Sequence, residues 1–455
     1  MGAPGWTPAR AQDAPAGAAQ GAGETAQTPA SAYGGPSILS RGNAPSVMRG
    51  GETARLVPFL SATGSYDSGM GGTTVNPQGQ SVYAGSYGVE GDFGITGAHT
   101  WEHSVLDLAY RGVYRDYTNE GSYNGLDNSL DIGFHHQLTS RLGISLGEDF
   151  ARTQSSFSLP MAGLYESGTG GFDPIYNALT AENVLATPTL ASVSDVRLVY
   201  QHTARLSVSV GATGIVSRQH AQETLGVNGY VASADVAYRL SRYQTIDFNY
   251  SYSHFGYLGQ LGDTGIHGAG IGYSARLGRY WEASLSGGAS RVESLRSVAV
   301  TLDPVLAQLL GESVVFAQSR SVFYTPYGAA HLTRSFRHSF WSAGYNRSVV
   351  AGNGLYTTSN YEAADTSYFY GGLRRLSLQA GAGFGRTSAI TQSLGRSLSY
   401  HASAGFGFGI TKGFSLVGRI DGYRYSVAGS GLDRTTYRAG MGIAWNPGQY
   451  PVALW

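Results

Sequence analysis

The chain contains no cysteine, which excludes a disulfide framework and any thiolate-ligated metal site. Charge is scarce: Asp, Glu, Lys and Arg make up 13% of the 455 residues, about half the usual share in a soluble globular protein. The 30 basic and 30 acidic residues cancel, so there is no electrostatic reason to bind nucleic acid. No run of about 18 apolar residues occurs, and therefore no transmembrane helix is expected. Strands are then the only means by which this chain could span a bilayer.

What is abundant is glycine and tyrosine, 66 and 31 residues, and both fall into a period of two. In Leu398–Trp445 the residues Leu398, Tyr400, Ala402, Ala404, Phe406, Phe408 and Ile410 share one parity, against His401, Ser403, Gly405, Gly407 and Gly409. Phe414, Leu416, Gly418 and Ile420 resume the pattern, then Tyr437, Ala439, Met441, Ile443 and Trp445. Successive side chains of a strand leave on opposite faces, so this alternation predicts strands. Runs of a dozen residues exceed the five or six common in soluble sheets and match the nine to eleven needed to cross a bilayer at a tilt. An apolar face opposed to small and polar residues predicts a barrel with lipid outside and water inside.

The alternation begins at Arg55. Strands are predicted over about 55–68, 81–95, 102–117, 125–138 and 142–154, with Gly97 to Thr100 as the second turn. Short turns recur at Thr139-Ser140-Arg141, Thr203-Ala204-Arg205, Ser241-Arg242-Tyr243, Gly278-Arg279-Tyr280, Thr333 to Arg337, Leu373-Arg374-Arg375 and Thr411-Lys412-Gly413, separated by longer Gly-, Ser- and Asn-rich connections. Short turns at one rim and long loops at the other are the asymmetry of outer-membrane barrels, whose short turns are periplasmic and long loops extracellular. The count comes to about 18 strands, with 16 as the alternative: an all-β, antiparallel, up-and-down transmembrane barrel over residues 55–455. Two connections break the spacing, 155–190 and 293–318, and each carries a helix-start signal, Asp173-Pro174 and Asp303-Pro304. They read either as capped surface loops or as segments folded into the lumen.

Residues 1–54 are of different composition, rich in Ala, Gly, Pro, Thr and Gln without a period, and are expected to be disordered. Ala9-Arg10-Ala11 resembles the small-x-small end of a secretory signal, and a reading frame beginning further upstream is the expectation. At the other end, Asn446-Pro447-Gly448 interrupts the alternation before Trp455. Either Trp445 ends the last strand, or Tyr450 to Trp455 pair again at the rim.

A search for chemistry finds little. Gly268-Ala269-Gly270-Ile271-Gly272 and Gly381-Ala382-Gly383-Phe384-Gly385 have the look of phosphate loops, but their glycines share a parity inside strands and no helix follows. His135 and His136 point to opposite faces and cannot share a metal. A serine and a histidine from separate strands could still form a hydrolase site. The reading is nonetheless not an enzyme, with no cofactor and no metal. More telling are Asp107, Arg111, Arg115, Asp127, Asp131, Asp149, Arg197, Asp235, Asp247, Arg276, Arg419, Asp421 and Arg438, all of polar parity. A cation on the lipid face costs roughly 2–4 kcal/mol at mid-depth, which explains their parity, and they are the candidates for lining a pore. Glu148 is the exception, sharing parity with Leu142, Ile144, Leu146 and Phe150; a bulge near Gly147 or a position above the hydrocarbon would accommodate it.

The stretch 55–455, with its terminal aromatic residue, resembles the porin-like β-barrels of Gram-negative outer membranes. The resemblance implies an outer-membrane location, contact with outer-membrane lipid, and recognition of the C-terminal aromatic end by the barrel assembly machinery. A barrel of this size encloses water. The expected function is passive diffusion of small polar solutes; export of a polysaccharide or other polymer, and a sealed structural or adhesive barrel, are the alternatives.

Overall fold

A computed structural model describes residues 53–453, apart from 69–73, 76–80, 83–84, 119–123, 154–188, 220–225, 258–261, 302–307, 309–313, 351–357, 391–395, 412, 429–431 and 448–449. Eighteen long strands carry the fold. They are β1 (Thr53–Asp67), β4 (Ser86–Thr100), β5 (Ser104–Tyr117), β6 (Gly125–Thr139), β7 (Leu142–Thr153), β8 (Thr189–Gln201), β9 (Leu206–Gln219), β10 (Gly226–Ser241) and β11 (Gln244–Tyr257), followed by β12 (Gly262–Leu277), β13 (Trp281–Thr301), β14 (Val314–Ser335), β15 (Ser339–Val350), β16 (Ser359–Tyr370), β17 (Leu376–Ala389), β18 (Ser397–Gly409), β19 (Phe414–Val427) and β20 (Leu432–Trp445). Two-residue strands β2 (Thr74–Val75) and β3 (Ser81–Val82) pair with each other in the first long connection, and β21 (Tyr450–Ala453) follows the last long strand.

Every long strand pairs antiparallel with its sequence neighbour, and β1 pairs with β20 through Leu60↔Trp445 to Asp67↔Arg438, so the sheet closes. β21 then pairs with the start of β1, Thr53↔Ala453 to Leu56↔Tyr450. Of the two readings of the chain end, re-pairing is the one seen, over Tyr450–Ala453: β20 stops at Trp445, and the backbone re-enters the sheet beyond the Asn-Pro-Gly break. Closure removes the unpaired edges that an open sheet would leave.

The alternation dictates the two faces. Leu60, Val89, Tyr114, Leu146, Val210, Phe248, Ile271, Leu285, Ile420, Met441 and Ile443 are large, apolar and exposed, and ladder partners keep them on one face all round the barrel. Ser61, Ser65, Asp92, Ser209, Ser253, Ser274, Ser290 and Ser399 are buried on the other. Close approach explains particular glycines on the inner wall. A Cβ at Gly288 would fall 2.2 Å from the Ala269 carbonyl and 2.6 Å from the Tyr327 ring, which lies across Gly288 and Gly270. Tyr327 Oη donates to Asn249 Oδ1 at 2.8 Å. The two glycine-rich runs thus lie inside β12 and β17, as small lumen-facing residues.

Three boundaries differ from the sequence reading. Gly97 to Thr100 is strand, not turn: Thr100 pairs with Val105, and the reversal lies at 101–103, where Trp101 N donates to Ser104 O (2.8 Å) and packs edge-on against buried His99. Thr333 to Ser335 likewise belong to β14, and the turn is closed by Phe336 N to Ser339 O at 2.8 Å. The connection predicted over 293–318 is largely strand, because the β13–β14 ladder runs unbroken from Trp281↔Arg334 to Thr301↔Val314. Glu293, bonded to Arg291 (3.0 Å) and Arg320, supports that extension. Asp173-Pro174, Asp303-Pro304, residues 1–52 and Trp455 lie outside the described residues.

Candidate functional site

All thirteen predicted charges occupy the inner parity, and the structure gathers eleven of them into two groups. One lies on β19, β20, β1, β4, β5 and β6. Arg111 makes a two-pronged contact with Asp92, Nε to Oδ1 at 2.9 Å and Nη2 to Oδ2 at 2.7 Å. Arg115 is held between Glu90 (Nε to Oε1, 3.1 Å) and Asp127. Arg438 reaches the same Glu90 oxygen, and Tyr117 Oη donates to it at 2.7 Å. Ser65 Oγ donates to Tyr117 Oη (3.1 Å), and Arg419 Nε bonds Asp421 Oδ1 at 2.7 Å. Two-pronged guanidinium–carboxylate pairing is both strong and directional, so this wall is a cross-braced network rather than a row of solvated charges. Sequence reading missed Glu90 and Asp92, the carboxylates at its centre. The signal was available: both share the inward parity of β4, one strand from the arginines.

The second group is acidic. Asp131 and Asp149 are directly opposed across the β6–β7 ladder. Asp195 lies over Gly147, Asp247 over Gly272, and Ser209 Oγ donates to Asp235 Oδ2 at 3.0 Å. Arg197 sits on the same wall, on the strand that carries Asp195. The glycines leave the space these carboxylates occupy. Asp107 lies between the two groups, opposite Gly133. Arg276 stands apart near the short-turn rim and pairs with Glu282 (2.7 Å).

The upper interior, toward the long connections, is filled on one side. Ala191, Val193, Ile215, Val231, Phe255, Ile266, Val292 and Val349 form one buried apolar cluster. Its cause is the top of the β15–β16 hairpin. The β14–β15 ladder stops at Gly328↔Arg347, just below Pro326, a residue that has no N–H to offer a neighbouring strand. β15 and β16 stay paired up to Val350↔Ser359. Val349 and Val350 have opposite parity yet both are 0% exposed, so protein covers both faces of the hairpin. Hydroxyls pin it: Thr358 Oγ1 contacts Tyr257 Oη (3.1 Å) and Thr264 Oγ1 (2.7 Å), and Thr325 Oγ1 donates to Asn360 Oδ1 (3.2 Å). Such an inward fold was one of the two readings of the connections 155–190 and 293–318; among the described residues it is made by 348–350 and 358–361.

Glu148 faces outward in an unbroken ladder, opposite Ile132 and Ser194, with no bulge at Gly147. The bulge offered as one accommodation is therefore absent. Its carboxylate instead accepts from Ser192 Oγ (2.7 Å) and from Ser194 Oγ, so two hydroxyls of β8 replace water.

Chemistry is not assembled among the described residues. No group of three metal-ligating side chains occurs there. A G-x-S-x-G spacing does exist, Gly143-Ile144-Ser145-Leu146-Gly147, and Ser145 Oγ meets His135 Nδ1 at 2.8 Å. However, the run lies inside the regular β6–β7–β8 ladders, which lack the sharp strand-to-helix turn of a nucleophile elbow. On the opposite face Ser104 Oγ meets His136 Nδ1 at 2.7 Å in the same way, so the contact is a recurrent cross-strand pair.

No family model and no curated protein matches the chain. Solved structures do. OccK2 (OpdF) of Pseudomonas aeruginosa aligns at 10% identity and TM-score 0.42, over 86% of this chain and 98% of that one. A BenF-like porin from Pseudomonas fluorescens Pf-5 aligns at 11% and 0.42, over 86% and 98%, and OccAB3 of Acinetobacter baumannii at 8% and 0.40, over 87% and 99%. Identity and superposition this low say nothing about cargo or mechanism.

Proposed function

We propose that this protein sits in the outer membrane of a Gram-negative bacterium and lets small polar solutes diffuse through its lumen without chemistry. One observation carries the reading: a closed eighteen-strand barrel with large apolar side chains outside and a braced set of charges inside. Barrels of 16 to 18 strands are wide enough to hold water. The tucked β15–β16 hairpin narrows that path from one side, and leaves the inner face of β16–β20, β1 and β4–β7 as the route. The Glu90–Arg115–Arg438 network and the Asp131–Asp149 pair are the lumen charges a solute meets there. No nucleic acid, metal or cofactor is part of this reading.

The buried apolar cluster favours one competing reading, a sealed barrel with a structural role. Single-channel recording in a planar bilayer separates the two. Discrete open steps are expected, with conductance raised when Thr358→Val and Tyr257→Phe release the hairpin. A bilayer that stays silent for both the parent and the released variant refutes the channel and leaves the sealed barrel.

A further inference from the structure

The arginines of this protein fall into two populations. Many of those within the strands are ion-paired: Arg111, Arg115, Arg276, Arg386, Arg424 and Arg438 each meet a carboxylate. The second population occupies the short turns. Arg141, Arg205, Arg242, Arg279 and Arg337 stand one to a turn, and Arg374 and Arg375 share a sixth. All seven are exposed, and among the described residues none of them makes an ion pair. The only carboxylate on a short turn among the described residues is Glu102, which lies near His103 (3.9 Å) on the turn before β5. The rim from β6 round to β17 is therefore a collar of uncompensated positive charge on a chain whose formal net charge is zero.

The turns are built to present these residues. Thr139 Oγ1 accepts from the backbone N–H of Arg141 (3.2 Å) and of Leu142 (3.1 Å). Thr203 Oγ1 does the same for Arg205 (3.2 Å) and Leu206 (3.0 Å). In both turns a glutamine two residues earlier, Gln137 or Gln201, donates to the threonine carbonyl. Such side-chain-to-backbone bonds fix a tight turn and leave the guanidinium at the apex. The collar is also set at a defined depth. Leu138 (49%), Tyr243 (56%), Tyr280 (49%), Phe336 (42%) and Leu373 (52%) are exposed beside it, and Arg279 lies 5.5 Å over the Tyr280 ring. Amphipathic aromatic residues seat at the headgroup level of a bilayer, which puts the turn arginines among the lipid phosphates.

We propose that this rim binds anionic glycerophospholipid, one phosphodiester to each turn, in the leaflet that meets the short turns. Charge decides the occupant: guanidinium groups pair with phosphate, and zwitterionic headgroups give no net attraction. Each arginine close to an anionic surface contributes a factor of roughly five in affinity. The proposal rests on the membrane placement proposed above but not on conductance.

The test is native mass spectrometry of the full-length barrel in detergent, exposed to equal amounts of phosphatidylglycerol and phosphatidylcholine with the same acyl chains. The parent should retain phosphatidylglycerol over phosphatidylcholine by on the order of tenfold or more. Replacing all seven arginines by glutamine should bring the ratio near unity, while the seven Arg→Lys changes should preserve most of it. Heat-dependent gel mobility reports whether each variant is folded. If the sevenfold glutamine variant does not fold, Arg141→Gln, Arg205→Gln and Arg242→Gln together should lower the ratio severalfold. A parent without preference, or a folded glutamine variant that keeps the parent's ratio, overturns the proposal. A conducting barrel without lipid preference refutes the collar alone, and a silent barrel with the preference refutes the channel alone.

Discussion

Removing the Glu90 carboxylate should be among the most damaging single truncations inside this barrel. Its Oε1 is the common acceptor for Arg115, Tyr117 and Arg438, and the Glu90, Arg115 and Arg438 side chains are only 17%, 9% and 22% exposed. Breaking a buried ion pair by deleting one partner costs about 3–5 kcal/mol, because the other charge is left unpaired. Arg115 keeps Asp127 and Arg438 keeps the Tyr117 ring at 5.9 Å, so Glu90→Ala belongs at the lower end, about 3 kcal/mol. Urea unfolding in lipid vesicles, followed by tryptophan fluorescence, measures this as a fall in midpoint at constant slope. Removing both charges together is expected to be far milder, since a buried pair replaced by apolar residues is often close to neutral; Glu90→Met with Arg438→Met should recover most of the loss. A Glu90→Ala protein within about 0.5 kcal/mol of the parent, the range of ordinary surface changes, would refute the reasoning, as would a double variant less stable than the single.

Other outcomes follow from the same geometry. Glu148→Gln keeps acceptance from Ser192 and Ser194 but removes a charge from the apolar face, and should raise the urea midpoint by about 1 kcal/mol in stability. Asp149→Asn relieves the direct opposition to Asp131 and should stabilise by roughly 0.2–1 kcal/mol in the same titration. At the closing seam a Cβ on Gly442 would fall 2.0 Å from the Ala62 carbonyl, whereas one on Gly214 meets nothing within 4 Å. Gly442→Ala should therefore leave a large unfolded fraction on a heat-mobility gel, and Gly214→Ala should match the parent; equal behaviour of the two would contradict the seam geometry.

How far the sequence reads through to the fold depends on which interactions are local. Period two is a property of single strands, so Leu398–Ile410 announces its faces without a partner, and the thirteen inward charges follow from parity alone. Turns with a polar apex, such as Thr203-Ala204-Arg205, are equally plain. The reversal at Trp101–His103 was not, because it is fixed by His99 packing on Trp101 and by the Thr100↔Val105 ladder. Glu148 looked anomalous for a similar reason: the two serines that satisfy it lie on β8, more than forty residues away. The tucked hairpin is the least legible feature. Nothing in Ser348-Val349-Val350 differs from an ordinary strand end, and only the stopping point of the β14–β15 ladder, beside Pro326, turns it inward.

The seam between β1, β20 and β21 has one more consequence. Thr53–Leu56 and Tyr450–Ala453 are hydrogen-bonded neighbours, so the described chain is topologically a ring cut once, and the place of the cut is not special to the sheet. Joining those ends and reopening the chain at a short turn, between Arg242 and Tyr243 for instance, keeps every ladder and changes only the order in which they are synthesised. Chain ends that lie together are what make such permutation tolerable. Which strand comes first is then an accident of the gene, and the cylinder itself has neither a beginning nor an end.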